Sequence, residues 1–434
     1  MQTIAETRAN PMPSSHSRDN QYPRLCYLGS LQVEATSASM MLLHRLLEGY
    51  PADRLNIVHV NEDDRASEQP ERRIKNVRYF QLPPSFRRGW FFTRMRAPGL
   101  FWMMLQAHAS WQARKAAKLL APFHPDAVLT IHELFGWLTA TKLAKRLNVP
   151  LHLALHDEWF RNIPMDPSLV NRFETYFGRV YRSAASRLCI SPYMEQEYAR
   201  RFGARGTVLY PSRARDGQYH DSPPASLNRA GGPLTVAYGG NVFHKGYWES
   251  LRCLASALEP INGRLLIFGP NKAAVTANGL DRPNVVAHGF VYDMLERIRE
   301  DAQVLFLPMT FEAREKPNMQ VSFPSKLVEY TAAGLPLLIY GPDYCSVVRW
   351  ARENADSAEV VTQQGEVGLK AALKNLSDPS HRERLARRAL ELGGQYFSFE
   401  TGNSIFQEAI RSGHSRVSRT TEPVSGNLHN PVSN

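Results

Sequence analysis

Residues 322–335 read SFPSKLVEYTAAGL, a short helical stretch with a serine and a proline ahead of it and a glycine behind. Ser322 suits an N-cap, Pro324 a first turn and Gly334 the position past the helix end, while Pro336 prevents continuation. Ser325 and Glu329 stand four positions apart and Lys326 and Glu329 three, so all three border one side of the helix. The free N–H groups of the first turn, with Lys326, make the tip positive, and Glu329 sets a carboxylate one turn deeper. Phosphate suits the tip, and a hydroxylated ring attached to it suits the carboxylate. A nucleoside diphosphate with its ribose meets both demands. Taken alone, Lys326 and Glu329 read equally well as an exposed helix pair worth a few tenths of a kcal/mol.

Outward from this helix, β-type runs alternate with helical stretches. On its N-terminal side lie LTVAYGG (234–240), helix YWESLRCLASALE (247–259), GRLLIFGP (263–270), NVVAHGF (284–290), helix YDMLERIRE (292–300) and AQVLFLP (302–308); LPLLIYGP (335–342) follows it. An earlier series runs LCYLG (25–29), helix MMLLHRLLEG (40–49), LNIVHV (55–60), VRYFQL (77–82) and a long helix near 98–120. It continues with DAVLTIH (126–132), helix FGWLTATKLAKRLN (135–148), PLHLALH (150–156), a helix around 168–184 and SRLCIS (186–191). Strands separated by helices predict parallel sheets with helices on both faces. The Gly-, Pro- and Ser-rich segment 213–233 separates the two series as a linker would. The expected organisation is α/β: two tandem Rossmann-like doubly wound domains, at 21–212 and 234–395. Ligands of such sheets bind beyond the carboxyl ends of the strands, here in the cleft between the domains. Residues 1–20 and 413–434 are polar, aperiodic and expected to be disordered.

The 434 residues and 43% hydrophobic content allow at least two sizeable cores. Cys26, Cys189, Cys253 and Cys345 show no C-x-x-C spacing, so neither a disulfide framework nor a cysteine metal site is indicated, and a reducing compartment is favoured. No apolar run reaches the roughly 18–20 residues of a membrane span, and the N-terminus lacks a signal-peptide centre. A soluble or peripheral cytoplasmic protein is expected. The net charge of +11 is concentrated: residues 71–119 hold eleven Lys/Arg against Glu71 alone. Tyr79, Phe80, Phe86, Trp90, Phe91, Phe92, Phe101, Trp102 and Trp111 interleave with them. Either this is a solvated basic face whose aromatics belong to the core, or it is a surface for an anionic membrane.

A second phosphate-facing element is YGGNVFHKGYW (238–248), which leaves a strand and opens a helix with Gly239, Gly240, Lys245 and Gly246. It matches neither the Walker pattern nor G-x-G-x-x-G. Its position carries the weight, since both elements lie at carboxyl ends of strands in one expected domain.

SFPSKLVEYTAAGLPLL, preceded by FLP and VVAHGF, resembles the donor-binding region of GT-B glycosyltransferases, above all the glycosyltransferase family 4 group. The resemblance extends over residues 22–412. YGGNVFHKG is similar to that family's diphosphate loop, and 396–412, including YFSFETGNSIFQEAI, to its helix crossing back to the first domain. TIHE (130–133) and VPLHLALHDEW (149–159) resemble segments facing the donor sugar and the acceptor. What this implies is retaining transfer of a sugar from a nucleotide diphosphate to an acceptor hydroxyl on a glycan or lipid-linked acceptor, in glycan, polysaccharide or glycolipid synthesis. No metal or other cofactor is expected, and no D-x-D occurs in the chain.

By that resemblance His132, Lys245 and Lys326 are the catalytic candidates. Gly239, Gly240, Asn241, Gly269, Phe290, Ser325 and Glu329 are donor-binding candidates, with Glu329 on the ribose. Gly29, His156, Asp157 and Glu158 are candidates on the acceptor side. His132 reads equally as a structural histidine, and His156, Asp157 and Glu158 as loop caps. Two departures stand out. The family often has glutamate eight positions before the helix glutamate, where this chain has Val321, which makes Glu312 and Glu315 substitutes to consider. It often has arginine beside the loop glycine, where this chain has Gly240 and Asn241. These departures favour one rival, a catalytically silent scaffold that binds a sugar nucleotide or a partner. The other, nucleic-acid binding, has only the pI near 9.5 behind it and no recognisable module.

Overall fold

The computed structural model describes residues 22–36, 38–60, 69–84, 97–158, 161, 165–217, 219–229, 232–242 and 245–420. The first group of elements is β1 (Leu25–Gly29), α1 (Ala38–Leu47), β2 (Leu55–Val60), β3 (Arg78–Leu82), α2 (Pro98–Leu119), β4 (Ala127–Ile131), α3 (Gly136–Leu147), β5 (Leu151–Leu155), α4 (Pro167–Ser183), β6 (Ser186–Cys189), α5 (Pro192–Phe202) and β7 (Thr207–Val208). The second begins with β8 (Thr235–Gly239), α6 (Lys245–Leu258), β9 (Arg264–Phe268), α7 (Lys272–Ala277), β10 (Val285–Gly289), α8 (Met294–Asp301) and β11 (Val304–Pro308). It continues with α9 (Lys316–Met319), α10 (Ser325–Ala332), β12 (Leu337–Tyr340), α11 (Ser346–Glu353), β13 (Glu359–Val361), α12 (Glu366–Asn375), α13 (Pro379–Phe397) and α14 (Phe399–Thr420).

The strands form two sheets, ordered β3-β2-β1-β4-β5-β6-β7 and β10-β9-β8-β11-β12-β13, and every strand pair in them is parallel. This is the doubly wound arrangement that the alternating strands and helices predict. The central strands β1, β2, β4, β11 and β12 are buried at every residue, which is why they read as continuous apolar runs rather than alternating ones. In each sheet the order reverses at one point, between β1 and β4 in the first and between β8 and β11 in the second. Both reversals open ligand crevices at the strands' carboxyl ends.

The two halves share an apolar interface. Tyr210 packs on Phe323 with ring centroids 4.9 Å apart, and Ser191 Oγ donates to the Val321 carbonyl at 2.5 Å. Tyr193 Oη donates to Glu353 at 2.8 Å. Val321 is 4% exposed within the core cluster that runs through both halves. Val321 also lines a second pocket together with Arg161, Arg200, Arg201 and Arg349, so this position faces arginines rather than the cavity that holds Lys326.

Three expectations are corrected here. The helix of the opening stretch starts at Ser325 with Pro324 at its N-cap and no side-chain cap; Ser322 is buried, and its carbonyl accepts from the Ser346 hydroxyl instead. The C-terminal helix does not stop at 412 but continues to Thr420. At Gly413 it approaches His152 and Ala185 so closely that a Cβ would lie 2.5 Å from the His152 ring. Through Phe406, Ala409 and Ile410 this helix buries itself in the first domain's core, whereas α13 packs on α10. Finally, Pro192–Phe202 and the elements between Ser346 and Phe397 had no counterpart in the strand-and-helix reading. The tail 1–20, Phe86, Arg87, Arg88, Trp90, Phe91, Phe92, Arg94, Arg96 and residues 421–434 lie outside the described residues.

Candidate functional site

A cavity lies between the domains, lined from the first by Ser39, Leu42, His156, Asp157 and Ile190 and from the second by residues of the β8, β11 and α10 ends. Its cation comes from α10, as Lys326. Tyr330, buried one turn and a half along this helix, holds it against the end of β8: its hydroxyl donates to the Gly239 carbonyl at 3.0 Å and accepts the Gly239 N–H at 2.8 Å. Lys326 then lies across Gly240, where a Cβ would stand 2.5 Å from the Lys326 Cε, and Gly240 holds φ +117°. Gly269, at φ +110°, would in turn drive a Cβ to 2.7 Å from the Gly240 carbonyl oxygen. The two glycines therefore permit the layering that brings Lys326 to the cavity.

Lys326 Nζ sits 5.5 Å from the Tyr238 ring centroid. Among the described residues it has no ion pair, and burial lowers its pKa to about 8. A half-buried ammonium without a carboxylate, beside a helix N-terminus with no side-chain cap, is a site for an anion.

Acidic side chains line the cavity as well. Asp157 follows β5 and Glu315 precedes α9, and both line the cavity with Asn318 and Thr310 between the sheets. Burial raises the Asp157 pKa first, the Asn318 hydrogen bond opposes that rise, and the nearby Glu315 charge adds to it. Asn318 Oδ1 also accepts the Glu158 N–H at 2.9 Å, which ties this acidic corner to both domains. His156 lines the same space with a buried Nδ1 that has no hydrogen-bond partner among the described residues, and burial lowers its pKa to about 4, so it is neutral at pH 7. Of the two substitutes considered for the carboxylate absent at Val321, Glu315 faces the cavity. Glu312 instead accepts the Gly246 N–H at 3.1 Å; both carboxylates pair with Arg314, Glu312 at 2.8 Å and Glu315 at 3.6 Å.

Other candidates are placed elsewhere. His132 is 1% exposed and stacked on Phe177 with centroids 3.6 Å apart, against Trp137. Its pKa is pushed well below the ordinary histidine range by burial and then by Arg201. It is a core histidine of the first domain and does not line the cavity. Lys245 begins α6 with its side chain 82% exposed and 3.7 Å from Glu249, four residues on, so it is turned along its helix rather than toward Lys326. Glu158 is 1% exposed and neutralised by Arg201 at 2.7 Å, a structural ion pair behind the cavity.

Phe290 is 83% exposed after the turn at Gly289, and Asn241 is exposed with its carbonyl accepting from Tyr238 Oη at 2.8 Å. Gly29 ends β1 against α3, where Gly136 donates its N–H to Ser30 Oγ at 2.7 Å; it is a packing glycine. Ser325 lines the cavity at the helix tip. Glu329, one turn deeper, is held by Arg45 of α1, whose Nη1 lies 2.6 Å from its Oε1. Arg45 and Asn318 were not anticipated; each acts through the opposite domain, and no local pattern marks either.

Residues 43–212 match the model of Glycosyltransferase Family 4. No curated protein sequence matches the chain. The structure is similar to that of Anabaena HepE in complex with UDP and glucose, at TM-score 0.60 and 13% identity over 90% of this chain and 100% of that one. It is similar to the lipopolysaccharide outer core galactosyltransferase WaaB in its apo form, at 0.58 and 14% over 90% and 99%. It is also similar to a glycosyltransferase from Rickettsia africae, at 0.62 and 10% over 93% and 100%. Likeness at these identities establishes the two-domain fold.

Proposed function

We propose that this chain, whose residues 43–212 match the model of Glycosyltransferase Family 4 and whose two-domain fold is similar to that of GT-B glycosyltransferases, moves a sugar from a nucleotide diphosphate to an acceptor hydroxyl with retention at the anomeric carbon. The observation that carries this reading is the make-up of the interdomain cavity, which is lined by Lys326 and the tip of α10 together with Asp157 and Glu315. The diphosphate lies at Lys326 and the helix tip, and the sugar hydroxyls donate to the two carboxylates. As the bond from the anomeric carbon to the phosphate oxygen breaks, its electron pair stays on the diphosphate, where Lys326 and the α10 N–H groups stabilise it. The acceptor hydroxyl forms the new bond on the same face and gives its proton to the departing phosphate oxygen. No protein nucleophile is assigned. Glu329 binds the ribose. That HepE was crystallised with UDP and glucose supports a uridine donor as the first to test. Thermal stabilisation by a panel of sugar nucleotides tests the reading; no shift with any of them would end it, because only a bound donor raises the melting temperature.

We also infer that the acceptor is presented at an anionic membrane surface, in glycan or glycolipid synthesis. The observation is one face of α2. Leu100, Met103, Met104 and Trp111 are 40–67% exposed and share that face with Arg114, Lys115 and Lys118, while Phe101, Leu105 and Ala109 bury the other. Lys115 Nζ lies 4.0 Å from the Trp111 ring centroid. An apolar ridge flanked by cations is complementary to lipid tails under anionic headgroups. Among the described residues no helix is long and apolar enough to cross a membrane. Co-sedimentation with phosphatidylglycerol vesicles, lost on phosphatidylcholine and in high salt, is the expected result. Absence of binding in low salt refutes it.

A further inference from the structure

Arg45 reaches from the first domain onto the donor helix of the second. Its Nη1 donates to Glu329 Oε1 at 2.6 Å and to the Ser212 carbonyl at 3.1 Å, while its buried Nε has no acceptor among the described residues. The Arg45 side chain is 14% exposed and that of Glu329 38%. Ser39 and Leu42, at three-residue intervals before it on α1, line the interdomain cavity, so Arg45 continues the face that α1 turns toward that space.

Two demands meet at this guanidinium. Arg45 meets Glu329 at Oε1, so a ribose diol that takes both carboxylate oxygens competes with the guanidinium for that oxygen. A diphosphate leaving group carries more than one negative charge, and among the described residues Lys326 is the one lysine or arginine that lines the cavity, Lys245 being turned to Glu249. Resting on the donor reading above, we propose that Arg45 is exchanged: in the free protein it neutralises Glu329, and when the donor's ribose takes Glu329, Arg45 turns to the diphosphate and stabilises its charge.

The exchange leaves no charge stranded. Glu329 trades an ion pair for two hydroxyl donors, and Arg45 trades a carboxylate for phosphate oxygens, which its planar fork fits in two-point contact. Because α1 belongs to the first domain and α10 to the second, the same exchange makes the relative position of the domains depend on whether a diphosphate is bound.

Calorimetric titration of uridine, guanosine and adenosine, and of their diphosphates, against the wild type, Arg45→Gln and Arg45→Lys tests this. In Arg45→Gln the bare nucleoside should bind severalfold more tightly, because Glu329 is free to accept its ribose. The diphosphate should bind about tenfold or more weakly, the worth of one charge-assisted contact, and kcat should fall with it. Arg45→Lys, which keeps the charge without the fork, should show the same signs at smaller amplitude, and it carries the test if the glutamine variant does not fold. A purely structural ion pair predicts otherwise: nucleoside and diphosphate affinities changing by one common factor, or UDP binding unchanged or strengthened, would overturn the exchange. If the wild type binds none of the three diphosphates, the donor reading falls, and the exchange with it.

Discussion

Replacing Lys326 by methionine should make this protein more stable and a poorer ligand binder at once. Burial lowers the ammonium pKa from 10.5 to about 8, and at 1.36 kcal/mol per pH unit that is a cost of about 3 kcal/mol, to order of magnitude, for keeping the charge at pH 7. The folded chain binds this proton more weakly than the unfolded chain. The cost is therefore fully present below pH 8 and fades as pH rises through the window from about 8 to 10.5, where only the unfolded chain is still protonated. Methionine keeps the stem that lies across Gly240 and removes the charge. Thermal unfolding at pH 7 should show the variant melting a few degrees higher, with the gap closing toward pH 10.5. Titration of UDP should show affinity lost by about 10–100-fold, one charge-assisted contact of roughly 1.5–3 kcal/mol. A melting temperature that falls, together with unchanged UDP affinity, would refute the reasoning: Lys326 would then be a structural cation, and the tip of α10 would not be the diphosphate site.

Asp157→Asn and Glu315→Gln should lower kcat/KM for the sugar nucleotide by about tenfold each while changing UDP affinity little, because their contacts are to the sugar; equal losses for UDP would contradict that placement. Asp157 is raised by burial and by Glu315, so kcat/KM should fall as pH drops through a value above the ordinary carboxylate range, and this acid limb should vanish in Asp157→Asn. Arg201→Ala strands the buried Glu158 and should cost about 3–5 kcal/mol in urea unfolding, with Glu158→Gln in that background restoring much of it. Trp111→Glu should abolish vesicle binding and leave the turnover of a soluble acceptor within about twofold, since the exposed face of α2 is not part of the cavity.

Much of the donor half was legible because its signals are local. SFPSKLVEYTAAGL names its own helix: spacing places Ser325, Lys326 and Glu329 on one side, and Gly334, at φ +63°, follows the end. Gly239 and Gly240 announce a close approach of backbone, and the structure shows that what approaches Gly240 is Lys326 itself. The N-cap was misplaced because serine at 322 satisfied the local preference, whereas its surroundings, the Ser346 hydroxyl and the interdomain core, are distant in sequence.

The acceptor side was less legible. A histidine at a strand end looks the same in the chain whether it faces a cleft or a core. Only packing distinguishes His132, stacked on Phe177, from His156, which faces the cavity. Adjacent acids divide in the same way: Asp157 turns into the cavity and Glu158 toward Arg201, 43 positions further on.

From the sequence alone, then, came the two doubly wound sheets and the helix that carries Lys326 and Glu329, because strand burial, turn residues and helix ends are set by neighbours within a few positions. Only the tertiary structure decided which charges remain available. Glu329 is held by Arg45, 284 positions away, Lys245 is turned to Glu249, and among the described residues Lys326 is left without a counter-ion. Charge pairing follows distance in space, and in this protein the decisive distances cross from one domain to the other.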